Sequence, residues 1–141
     1  MKAIAWFLLA SMIVFGGCQS EPSTKPELEQ KTDLGFGFWR VVLAEPVKSK
    51  FESIGHFEYL YYGNLRLCQV GAYSISPSGR YAIYQDGPSG ELFLFRREEK
   101  RVTRLTSHFI ALADSFTWRE EANCVEVDFG MGHGVERFGL R

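Results

Sequence analysis

Charge of one sign is what this sequence most plainly lacks. Lys and Arg number 16, Asp and Glu 17, and the formal net charge is −1. No basic surplus is available to neutralise a phosphate backbone, so no nucleic-acid partner is expected, and no acidic block forms a solvating tail. Helical periodicity is missing too. No long stretch repeats apolar residues at helical spacing, and alanine is sparse after residue 20, which argues against a helical bundle. The longest uncharged apolar run, Ala3 to Phe15, is too short to span about 30 Å of hydrocarbon. The sequence contains no G-x-S-x-G, H-E-x-x-H, phosphate-binding loop or dinucleotide fingerprint, so no nucleophile–base pair announces itself. His56, His108 and His133 have none of the close spacings of metal ligands, and no metal or other cofactor is expected.

What the chain does have is aromatic residues, at 15%, and 14 glycines. That mixture favours strands and tight turns. With 141 residues there is room for one domain. The expected fold class is all-β, built of antiparallel meander sheets, with a small β-sandwich as the alternative.

The N-terminus reads as an address. Lys2 supplies a positive charge, the run AIAWFLLASMIVF follows, and Gly16-Gly17-Cys18 comes next. A short apolar core with these flanks suits a secretory signal. Gly-Gly-Cys after such a core resembles the lipobox of bacterial lipoproteins, with Phe15 in place of the usual aliphatic residue. The resemblance implies a signal peptide over residues 1–17, cleavage before Cys18, and acylation of Cys18 as a membrane anchor. It also implies a location in the cell envelope, with Gln19 favouring the outer membrane over the inner, facing the periplasm. Residues 18–34 contain two prolines and many polar groups. They are expected to form a flexible tether, in which Pro26–Gln30 could make a short helix. The domain is then expected to span 35–141.

From Gly35 onward strand-like runs alternate with turn signals. Strands are expected near 38–43, 56–62, 65–70, 72–75, 81–85, 92–96, 102–105, 111–118, 124–129 and 135–140. Turns are marked by Gly63-Asn64, Ser76-Pro77-Ser78-Gly79, Asp86-Gly87-Pro88 and Arg97-Glu98-Glu99-Lys100. Leu92-Phe93-Leu94-Phe95 is apolar on both faces, so it should lie in a sheet covered on both sides. In Cys124–Phe129 the apolar residues Val125, Val127 and Phe129 share one face, and Glu126 and Asp128 share the other.

The stretch from Tyr73 through Ser76-Pro77-Ser78-Gly79 and Leu92-Phe-Leu-Phe to Arg104-Leu105-Thr106 resembles one WD40-like, TolB-type β-propeller repeat. A fainter copy begins 43 residues on, with Phe116-Thr117-Trp118, Cys124–Val127 and Val135–Phe138 in equivalent places. That interval matches a blade of about 40–45 residues. The resemblance implies blade-like sheets. A closed ring needs roughly four to eight blades, more than this chain can supply.

Several residues are candidates for function. Tyr61 and Tyr62 are adjacent and must point to opposite faces, so one is a candidate surface anchor for a protein partner. Trp39, Trp118, Tyr59, Tyr61 and Tyr62 could line a sugar or peptide face, or pack in the core. With Cys18 acylated, Cys68 and Cys124 remain, either as a disulfide or as two buried thiols. His133, in the glycine-rich run 130–134 and near Asp128 and Glu136, is where an envelope enzyme's site could be built; a long hairpin turn explains the same run. The mixed charges of 96–101 suit a solvated hairpin or a docking contact. The expectation is a lipid-anchored extracytoplasmic module for protein binding, envelope assembly or immunity. The alternatives are an enzyme acting on glycan or peptidoglycan, and a ligand-sensing lipoprotein.

Overall fold

The computed structural model describes residues 25–47, 53–106 and 111–141. Cys18, the expected signal segment, the first part of the expected tether and His108 lie outside them. The described chain is all-β. Ten strands run in order: β1 Glu27–Gly35, β2 Phe38–Val47, β3 Ser53–Tyr62, β4 Leu65–Ile75, β5 Tyr81–Asp86, β6 Leu92–Arg96, β7 Arg101–Arg104, β8 Ser115–Arg119, β9 Cys124–Asp128 and β10 Val135–Gly139. They form two antiparallel meanders, a seven-stranded sheet β1 to β7 and a three-stranded sheet β8 to β10, and neither closes into a barrel.

The larger sheet is divided by β4, a single strand where the sequence suggests two. Its first half pairs with β3, its second half pairs with β5, and a register shift between Val70 and Ala72 marks the change. Gly71 sits at that shift. A Cβ there would come within 2.9 Å of the Gln85 carbonyl oxygen, so the close backbone approach requires glycine. The two halves then face each other, since the Phe38 ring on β2 meets the Phe95 ring on β6 edge-on at 5.9 Å.

Three layers result, with an apolar cluster in each gap. Phe38, Leu60, Cys68, Ala82, Tyr84 and Phe95 fill the first gap. Ile83, Leu92 and Leu94 meet Val125, Val127, Phe129 and Leu140 in the second. The doubly apolar β6 is therefore covered on both faces, as its sequence requires. Val125 and Val127 point inward, while Glu126 on the opposite face is held by Arg119 at 2.9 Å and Arg137 at 2.6 Å. Those two guanidiniums keep the Glu126 carboxyl below the usual carboxylate range.

The repeat is preserved in register. Ile75↔Ala82 in β4–β5 becomes Trp118↔Val125 in β8–β9, and Tyr81↔Arg96 in β5–β6 becomes Cys124↔Gly139 in β9–β10. Each pair is moved on by 43 residues. The turns differ as expected: Gly79 takes a positive φ after Ser-Pro-Ser, whereas a 3₁₀ turn at Glu120–Ala122 ends on Asn123 in the left-handed conformation.

Three expectations need correction. Residues 27–34 are not tether or helix but most of β1, which pairs with β2 along its length; apart from Leu28 and Leu34, the latter packed on the first apolar cluster, the strand is polar and backbone pairing holds it. The strand expected at 111–118 begins only at Ser115, because residues 111–114 form a segment bound to Gln85. The Cys68–Cys124 bond is not formed, and both thiols are free and buried. Cys68 packs between the halves of the large sheet, while Cys124 begins β9 of the small one.

Candidate functional site

The long hairpin of β2 and β3 runs without a register shift from Phe38↔Tyr62 to Val47↔Ser53. Side chains of directly paired residues share a face. Phe38, Leu60 and Tyr62 therefore face the first apolar gap, and Trp39, Val41, Leu43, Phe57, Tyr59 and Tyr61 face the other way. This assigns the two adjacent tyrosines. Tyr62 belongs to the interior, its ring centroid 5.1 Å from both Phe38 and Phe95. Tyr61 is on the outer face beside Trp39 and is half-buried.

The outer face carries cations as well as rings. Lys31 Nζ on β1 stands 4.1 Å from the centroid of the Trp39 ring, and the Arg66 guanidinium on β4 stands 4.9 Å from that of Tyr59. Neither makes an ion pair among the described residues. The Tyr59 hydroxyl donates to Glu45 Oε2 at 3.0 Å. Burial, together with that carboxylate, raises the Tyr59 pKa. Val41 and Tyr59 are buried at the centre of the face, Trp39 and Leu43 are half-buried, and Leu28 at its edge is 58% exposed. Trp39, Val41, Leu43, Phe57, Tyr59 and Tyr61 belong to neither apolar cluster.

Tyr61 also lines a cleft of about 220 Å³ with Leu28, Lys31, Val41, Gly63 and Asn64. The cleft is fixed by two turns that touch, because Gly63 N–H donates to the Gly37 carbonyl at 2.9 Å. An apolar wall, one aromatic and one cation make it suited to a side chain or short segment that is apolar with a polar or acidic end.

The other candidates lie elsewhere. Trp118 is a core residue: its indole N–H donates to Ser74 Oγ at 2.8 Å and its ring stacks on Tyr81 at 6.5 Å. His133 lies in the β9–β10 turn and lines neither of the two clefts described for this protein. Its N–H donates to the Gly130 carbonyl, while Asp128 accepts from Gly130 N–H at 2.8 Å. That turn is the counterpart of Asp86–Glu91: Asp86 N–H donates to the Glu91 carbonyl, as Phe129 N–H does to that of Gly134. Among the described residues no group of His, Cys, Asp and Glu is arranged to hold a metal ion.

Lys31 and Leu28 are not legible as site residues in the sequence, because β1 itself is not. The signal available was Gly35-Phe36-Gly37, a turn ahead of a strong strand. Neither protein-family models, nor curated proteins, nor solved structures contain a match to this chain.

Proposed function

We propose that this protein is a lipid-anchored, extracytoplasmic binding module that captures a protein partner on the outer face of β1 to β3. The carrying observation is the composition of that face: Trp39, Val41, Leu43, Tyr59 and Tyr61 in one contiguous patch, edged by Lys31 and Arg66. Aromatic anchors of this kind dominate interface energies, and two cations without carboxylate partners favour an acidic neighbour on the bound protein. Anchoring rests on the Gly-Gly-Cys18 segment, and the envelope location follows from it. An assembly or an immunity role fits such a module equally well.

The test has two arms. Cys18→Ser should release the protein from the membrane fraction and abolish acyl labelling; unchanged partition would remove the anchor from the account. Mature domain carrying Tyr61→Ala or Trp39→Ala should lose partner capture from envelope extract, weakened by about 1–2 kcal/mol per substitution, with the thermal midpoint nearly unchanged. Turnover of peptidoglycan, glycan or ester substrates that vanishes in His133→Ala would replace this reading with the enzyme reading.

A further inference from the structure

A second cleft, of about 310 Å³, opens at the other side of the middle layer. Its walls come from the start of β5, the end of β6, the β6–β7 hairpin and the segment after β10. Four arginines line it, Arg80, Arg96, Arg101 and Arg141, together with Glu98 and Glu99. Tyr81 and Leu140 supply its apolar surface. Even without Arg141, three arginines outnumber the two glutamates.

The pairing within this cleft is loose. Arg80 is 3.3 Å from Glu98 and Arg101 is 3.7 Å from Glu99. Elsewhere the same chain makes tighter pairs, 2.9 Å for Arg40–Glu58 and 2.6 Å for Arg137–Glu126, as well as one of 3.3 Å for Arg104–Glu91; the first two are charge-assisted bonds of the strong kind. Arg96 has no carboxylate at all among the described residues. It is half-buried, and its Nε donates to the Leu140 carbonyl at 2.8 Å and its Nη1 to Thr103 Oγ1 at 2.6 Å. Two neutral acceptors thus fix the orientation of a cation and leave its charge uncompensated. A preoriented, uncompensated guanidinium flanked by two loosely held ones is an arrangement for an oxyanion. A carboxylate has two oxygens to offer. A phosphate group has enough to engage more than one guanidinium fork, which matches convergence from two strands and a hairpin.

We infer that this cleft binds a phosphate group, either of a small soluble molecule or of an anionic lipid headgroup. The site is separate from the aromatic face, so it stands whether or not that face binds a protein. Occupancy would link the middle layer, which supplies Arg80 and Arg96, to the segment containing Leu140, and should raise the thermal midpoint by mass action.

The experiment uses the Cys18→Ser chain, with pyrophosphate and inorganic phosphate as soluble probes and phosphatidylglycerol vesicles, against phosphatidylcholine vesicles, as the lipid probe. Calorimetric titration at matched ionic strength should give a saturable one-site isotherm for a soluble probe, or flotation should show selective binding to phosphatidylglycerol. Which of the two responds identifies the source of the phosphate. The double variant R80Q/R101Q alters only exposed side chains and should weaken binding at least about tenfold; Arg96→Gln should abolish it. Arg137→Gln removes the same charge from the outer face of the small sheet and should change nothing. Absence of saturable binding to either probe, binding retained in R80Q/R101Q, or an equal loss in Arg137→Gln would overturn the inference.

Discussion

Cys68 sits in the first half of β4, opposite Leu60 of β3, in the apolar cluster that also holds Tyr84 and Phe95. Burial pushes its pKa from 9.0 up to about 12, and burial raises that of the neighbouring Tyr84 hydroxyl as well. A group whose folded pKa is raised adds nothing unfavourable while both states are protonated. As pH climbs past 9 the unfolded chain ionises first, and stability falls until the folded thiol also ionises near 12. The unfolding free energy should therefore decline between pH 9 and 12, and Cys68→Ala should flatten the first part of that decline; urea titrations at stepped pH measure both. The same burial explains why Cys68 should resist thiol reagents in the folded protein, since the thiolate is the reactive form. At this scale the sequence is only half legible. Adjacency says that Tyr61 and Tyr62 face opposite ways, but only the pairing of Phe38 with Tyr62 says which one turns inward. Arg80 and Arg141 carry no local mark of a shared cleft, because the third dimension alone brings them to the hairpin.

Elements are more legible where burial shapes both faces. β6 announces itself because Leu92 and Leu94 serve one apolar cluster while Phe95 serves the other. β9 does so because its outward carboxylates alternate with inward valines. β1 is silent: apart from Leu28 and Leu34 its strand-forming information lies in the backbone, and a polar stretch before a domain has the composition of a linker. The segment 111–114 is equally silent, since what holds it comes from other elements: the Asp128 carbonyl, which accepts from Asp114 N–H, and above all one side chain. Gln85, 1% exposed, donates through Nε2 to the carbonyls of Gly90 and Ala111 and accepts through Oε1 from Ala113 N–H. It thereby fastens Ala111 and Ala113, ahead of β8, onto β5. Gln85→Met keeps the approximate shape and removes all three bonds, leaving the buried Gly90 carbonyl and the part-buried Ala111 carbonyl and Ala113 N–H without it. The expected cost is about 1–3 kcal/mol, seen as a lower urea midpoint at unchanged slope.

On the scale of the whole molecule, the 43-residue correspondence between β4–β6 and β8–β10 builds a stack in which each layer packs only on its neighbour. The middle layer, β5 and β6, is apolar on both sides; the outer face of the third layer is closed by the Arg119–Glu126–Arg137 ion pairs; the outer face of the first is aromatic. The two ends of the stack are thus chemically unlike, which gives the proposed partner a single end to recognise. This arrangement also dictates the order in which the protein opens. Amide protons bonded between β5 and β6 lie inside the doubly covered layer, away from the sheet edge at β7, so they should exchange with deuterium at the rate set by global unfolding. Those of β1 and β10, each paired on one side among the described residues, should exchange through local fraying, orders of magnitude faster. Residue-resolved exchange would show a gradient falling from the edge strands to the centre, and uniform protection across all ten strands would contradict it. A partner seated on the first layer should slow exchange in β1 to β3 and leave the β5–β6 rate, already limited by the whole fold, much closer to where it was.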